Sequence, residues 1–130
     1  MARAFASFDD FFLHYLRQHR SPMNRLLHAC GTLIATAVVV AALLFGRPWL
    51  ALLWLPLGYG LAWIGHFLVE RNRPATFGHP WWSLASDFRM LGLMLCGKLD
   101  AWLARADADV VTARGDQASS AIRPGLKPLS

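Results

Sequence analysis

The stretch PMNRLLHACGTLIATAVVVAALLFGRPWLALLWLPLGYGLAWIGHFLVE, residues 22–70, decides the fold. Ala29 to Phe45 carries no charge, and neither does Pro48 to Val69. A helix that crosses a bilayer needs about 20 mostly apolar residues. Gly46-Arg47-Pro48 lies between the two runs and reads as a tight break. Ser21-Pro22 opens the first helix, because Ser caps well and Pro suits the first helical position. The stretch therefore predicts a transmembrane hairpin with helices at about 22–45 and 48–70. Pro56 lies inside the second helix, where membrane helices tolerate a kink. Gly58, Ala62 and Gly65 put small residues near one side, suited to close helix approach.

The rest of the chain fits around that hairpin. Of 130 residues, 55% are hydrophobic and 16% charged, against roughly 25% charged in an average soluble domain. This excludes a disordered chain or a nucleic-acid-binding tail, despite 13 Lys+Arg against 8 Asp+Glu. No nucleic-acid partner is expected. Ser7 can cap a helix at residues 8–19, and Phe5, Phe8, Phe12, Tyr15 and Leu16 recur at helical spacing. That amphipathic helix lies on the membrane surface or, more simply, on the protein's own helices. Pro80-Trp81-Trp82 opens a further segment, with the Trp pair placed like an interfacial anchor. A stripe of Leu84, Phe88, Leu91, Leu95, Leu99 and Trp102 makes a long helix near 81–104. Asp87, Arg89, Lys98 and Asp100 interrupt it, and charge is costly at mid-bilayer, so it lies shallow or spans only against the other helices. The expected fold class is all-α: an integral membrane helical bundle formed by residues 1–105, followed by a flexible polar tail over 106–130. Cys30 and Cys96 sit in apolar stretches and are expected to be reduced and buried. No cleaved signal peptide is expected, since amphipathic sequence precedes the first apolar run.

Basic residues orient the hairpin. Arg17, Arg20 and Arg25 precede the first span, Arg71 and Arg73 follow the second, and only Arg47 lies between. The positive-inside rule then places the N-terminus and the loop after Glu70 in the cytoplasm.

Two antiparallel helices joined by a short turn set residues equidistant from that turn at equal depth. His28 and His66 are each 19 residues from Arg47, and Asn24 and Glu70 are likewise matched about it. At about 1.5 Å per residue the histidines lie roughly 28 Å from the turn, at the far edge of a bilayer core about 30 Å thick. His19, before the Ser21-Pro22 break, belongs to the same edge. Glu70 follows His66 by one helical turn and shares its face. Three imidazoles and a carboxylate at one depth are what a metal ion wants. Non-haem Fe(II) and Zn both suit such a set. For Glu70 an ion pair with Arg25 or Arg71 is an equal alternative. His14 and His79 read as ordinary polar residues.

The string YLRQHRSPMNRLLHACGT, Tyr15 to Thr32, carries H-R-x-P-x-N-x-x-x-H-x-x-G-T. GYGLAWIGHFLVERNRPATF, Gly58 to Phe77, and SLASDFRM, Ser83 to Met90, complete the pattern. Over about residues 10–100 the chain resembles a family of small membrane proteins long known as a domain of unknown function. Its characterised fungal member is an endoplasmic-reticulum dioxygenase of 2-hydroxy fatty acids (2-hydroxypalmitate). The resemblance is to the bacterial branch and implies a bacterial inner-membrane protein.

What the resemblance implies is Fe(II)-dependent α-oxidation: a 2-hydroxy fatty acid is shortened by one carbon with O₂. It implies His19, His28 and His66 as iron ligands, with Glu70, Asp87, Asn24 and Asn72 as further ligands or supporting residues. A metal at the interface would meet a lipid acid whose tail stays in the bilayer, and Arg20, Arg25, Arg71 or Arg73 could hold its carboxylate by paired N–H donors. The alternative is a non-catalytic membrane protein that binds a metal or haem, or scaffolds a partner.

Overall fold

The computed structural model describes residues 4–122, all helix, turn or loop with no strand among them. Helix α1 spans Phe8–Arg17. Ser7 Oγ accepts from the Asp10 N–H at 3.2 Å, and Asp9 and Asp10 face the positive helix start. Its apolar face, Phe11, Phe12, Leu13, Tyr15 and Leu16, is buried. These residues pack with Met90, Leu99 and Ala106 into the main core, so α1 lies on the protein's own helices.

Helix α2, Pro22–Leu44, starts with Pro at its first turn. The expected Ser21 side-chain cap does not form. The Glu70 carboxylate takes that place, accepting from the Ser21 N–H at 2.6 Å. At the other end Gly46 adopts φ +64°, and the Gly46 and Arg47 N–H groups bond the carbonyls of Leu43 and Ala42. This left-handed glycine cap reverses the chain.

Helix α3, Pro48–Glu70, is continuous but irregular. It begins as a 3₁₀ segment, widens to π geometry over Leu55–Tyr59, returns to α, and ends as a π turn over Gly65–Glu70. Pro56 has no N–H to give the ladder, and the wide turn around it absorbs that loss while Trp54 and Gly60 keep helical dihedrals. A Cβ on Gly31 would sit 2.8 Å from the Gly58 carbonyl oxygen, so bare backbone is what lets α2 and α3 approach here.

Both hairpin helices are long and apolar enough to cross a membrane, and only 28% and 17% of their most apolar stretches is buried. A soluble protein would cover such helices. Leu43, Leu44, Phe45, Leu52 and Leu68 instead point outward.

Helix α4 spans Pro80–Leu95 and α5 spans Leu99–Ile122. The long helix expected near 81–104 is therefore two helices, because Gly97 at φ +66° ends the first in the same kind of cap as Gly46. The polar stretch expected as a flexible tail from residue 106 is helical through Ile122. Its frequent alanines are strong helix formers, and Arg17 and Arg20 tie its start to α1 through the Ala106 carbonyl and Asp107. Residues 123–130 of that expected tail lie outside the described residues. Trp82 packs on the core while Trp81 stays exposed, so only one of the pair is placed as an anchor. Cys30 and Cys96, expected to be buried, are free and exposed. Their apolar surroundings are outward helix faces, not a protein core.

Candidate metal centre

Four helices bring one polar cluster together beneath the apolar hairpin. His19 follows the end of α1, His28 lies on α2, His66 on the last turn of α3, and Asp87 on α4. The three imidazoles are 0%, 5% and 2% exposed, and one ring nitrogen from each lies within 4.8 Å of the others. Their ring centroids are 4.3 to 5.0 Å apart.

Every imidazole has its Nδ1 engaged outside the cluster. His19 Nδ1 meets the Tyr15 carbonyl at 2.6 Å, His28 Nδ1 meets Asp87 Oδ1 at 2.8 Å, and His66 Nδ1 meets Asn72 Oδ1 at 2.7 Å. The Asn72 amide is oriented by its own NH₂, which donates to the Gln18 carbonyl at 3.0 Å. All three partners are acceptor oxygens, so each ring donates from Nδ1, and the neutral form of such a ring has its lone pair on Nε2. Two of those lone pairs face each other across 3.1 Å, from His19 Nε2 to His28 Nε2. A metal ion among the nitrogens, or a proton shared between two of them, relieves the repulsion of lone pairs so placed. Outer oxygens fixing the tautomer of inward imidazoles are the usual support of a metal site. The donor set therefore fits a metal ion.

Electrostatics point the same way. Burial pushes the His19 pKa well below its ordinary value, and the neighbouring His28 and His66 add to that. The hydrogen bond to the Tyr15 carbonyl opposes the shift without cancelling it. His19 is thus neutral at physiological pH, the form that binds metal. Burial and the Asp87 carboxylate raise the Tyr15 phenol well above its ordinary value. It stays protonated and donates to Asp87 Oδ1. Tyr15 also stacks on His19, with centroids 3.9 Å apart.

The backbone that carries these side chains is shaped for the task. The π turn over Gly65–Glu70 holds buried His66 toward His19 and His28, and such wide turns are frequent at functional sites. Arg71 then takes a left-handed conformation, φ 55° and ψ 38°, and the Asn72 N–H returns to the His66 carbonyl at 3.0 Å. That reversal is what brings the Asn72 side chain back to the His66 ring.

The other expected site residues have different neighbours. Glu70, half-buried, accepts from the Ser21 N–H and, at 3.5 Å, from Asn24 Nδ2. Asn24 is buried against Gly65, where an added Cβ would fall 2.0 Å from its Oδ1. Arg25 spans the carbonyls of His19 and Arg20 at 2.9 and 2.7 Å, and Arg20 pairs with Asp107. Arg71 is exposed, and Arg73 lies over the Phe77 ring. His14 and His79 sit among aromatic rings, near Phe5 and Trp82. Tyr15 is the residue that sequence reasoning passed over as part of an apolar stripe. Its position four residues before His19, on the same helical face, was the available signal.

An all-α protein with two span-length apolar helices and a buried three-histidine cluster is a membrane-type helical bundle with a metal-binding donor set. The family model described as 2-hydroxy-palmitic acid dioxygenase Mpo1-like matches residues 5–99, and the chain belongs to that family. Searches of curated proteins and of solved structures return no match.

Proposed function

We propose that the chain is an Fe(II)-dependent dioxygenase that shortens 2-hydroxy fatty acids by one carbon, at the cytoplasmic face of a bacterial inner membrane. The observation that carries this reading is the convergence of one ring nitrogen from each of three buried imidazoles, with every Nδ1 also meeting an outer oxygen. Family membership supplies the chemistry to test against it.

His19, His28 and His66 would hold the ion, leaving coordination positions open, as oxygen-using iron sites require. Iron would supply the one-electron chemistry that lets O₂ react with a closed-shell hydroxy acid. The overall balance closes: a 2-hydroxy acid and O₂ give the acid one carbon shorter, CO₂ and water. The substrate is oxidised at C2, its C1–C2 bond breaks, and O₂ is reduced.

The chain's own groups have supporting parts. Asp87 orients His28, and Tyr15 in turn holds Asp87 by donating its phenolic proton. Arg25 is the cation beside His19, and its guanidinium is the one we assign to the substrate carboxylate. Arg20, Arg71 and Arg73 are assigned a weaker, general attraction for anionic lipid at the same surface. Asn24 and Glu70 fix the start of α2 against the end of α3 and act as positioning residues.

A haem reading fits less well. Three imidazoles with centroids within 5.0 Å of one another leave no slot for a porphyrin plane between any two.

The test is turnover by membranes containing the chain. With Fe(II) and air, a 2-hydroxy acid should become the acid one carbon shorter, and a chelator should stop this. Shortening that persists without O₂, or none with Fe(II) restored across several chain lengths, overturns the reading.

A further inference from the structure

Between α3 and α4 lies an apolar groove of about 720 Å³, within the roughly 300–1,000 Å³ range of small-molecule sites. Trp54, Tyr59, Gly60, Trp63, Trp81 and Leu84 line it. A second cavity of about 30 Å³ lies deeper. His28 and Asp87 bound it on one side, and Trp54, Tyr59 and Leu84 on the other. The same three side chains thus border both spaces and form the partition between the apolar groove and the His28–Asp87 pair.

We propose that the groove holds the acyl chain of the 2-hydroxy acid, that the head passes between Tyr59 and Leu84 toward His28, and that Gly60 limits chain length. This rests on the fatty-acid reading above. Adjacency is what selects the occupant, since only the Trp54, Tyr59 and Leu84 side chains separate the groove from the polar cavity. A bilayer phospholipid needs only an outer surface to lie on, whereas this groove backs onto a small cavity bounded by a buried carboxylate–imidazole pair. A single-tailed amphiphile has the matching shape, with one apolar tail and one polar end. Gly60 is suited to be the stop. It lines the groove, has φ −58°, and a Cβ built on it meets no atom within 4 Å. A larger side chain there enters empty space without backbone strain.

Three of the chain's six tryptophans, Trp54, Trp63 and Trp81, line the groove and report its occupancy without any turnover. The protein in phosphatidylcholine nanodiscs is titrated with 2-hydroxy acids brominated on the chain, and with brominated phosphatidylcholine for comparison. We expect saturable Trp quenching by the hydroxy acid. Gly60→Phe should weaken that of a long acid about tenfold while sparing a short one, since each methylene refused by an apolar pocket costs this order of affinity. Gly60→Leu should fall between, and both should retain metal. Gly60→Ala serves as the mildest member if the Phe variant fails to fold, and its shift toward shorter chains should be small but in the same direction.

Quenching that stays linear and matches that of brominated phosphatidylcholine makes the groove a lipid-facing surface and overturns the proposal. So does an unchanged chain-length profile in metal-retaining Gly60 variants. If saturable, length-dependent binding occurs without chain shortening, the groove stands and the dioxygenase reading falls. If shortening occurs without saturable quenching, the opposite holds.

Discussion

His19 Nε2 lies 3.1 Å from His28 Nε2 while the Nδ1 atoms of both rings are held by oxygens on the far side. Removing a ring from this arrangement deletes a donor, so His19→Ala, His28→Ala and His66→Ala should each abolish metal retention. His14→Ala and His79→Ala, which lose ring contacts with Phe5, should keep their metal. Elemental analysis of purified membrane-inserted variants reads the difference. Equal loss in all five would remove the basis for the assignment.

The outer oxygens predict a graded second series. Asp87→Asn takes away the carboxylate charge behind His28 and Asn72→Ala the acceptor that fixes His66, and such changes typically weaken metal binding about 10–100-fold. Tyr15→Phe keeps the ring that stacks on His19 and loses only the hydroxyl to Asp87. Its effect should be smaller. Chelator competition gives the order, and a Tyr15→Phe loss as large as that of Asp87→Asn would contradict the arrangement.

Arg71 separates backbone from charge. Its left-handed conformation costs an L-residue roughly 1–2 kcal/mol and costs Gly nothing comparable. Arg71→Gly should therefore retain metal and stability. Arg71→Val should lose both, because a β-branched residue resists φ 55° and Asn72 can no longer return to His66. Metal content and melting temperature in detergent test this pair. Equal damage by Gly and Val would mean that the guanidinium matters more than the turn.

Helix approach is testable at the glycines. Gly31→Ala drives a methyl against backbone, and Gly65→Ala drives one into Asn24. Overpacking of this kind costs about 1–3 kcal/mol. Gly65→Ala should also reduce metal retention, since it moves the turn that carries His66. Gly31→Ala should lower thermal stability with a smaller effect on metal. Thermal melts run with metal analysis decide it.

Much of this was legible in the chain itself. A tight turn at Gly46 forces depth matching, which is why the pairs His28/His66 and Asn24/Glu70 could be set level from counting alone. Tyr15 could not be separated from Phe12 and Leu16, because periodicity treats a hydroxyl-bearing ring as one more apolar position. The break at Gly97 was hidden by the Leu95–Leu99 spacing, which continues the helical stripe across the cap. Cys30 was misjudged because apolar surroundings signal burial only where water is the alternative. The outer partners of the imidazoles depend on how α1 and α4 dock beneath the hairpin, a long-range arrangement that spacing does not encode.

The cluster takes its members from the two hairpin helices, from α4 and from the segment that follows α1. An ion held there would stitch the two hairpin helices to the segments that pack against them. Because a preformed site does not exist before those parts meet, ion-binding free energy is also assembly free energy. Capture must come after both spans are in place and α4 has folded back. A chain in which one hairpin helix has not yet packed would offer an ion only part of that donor set.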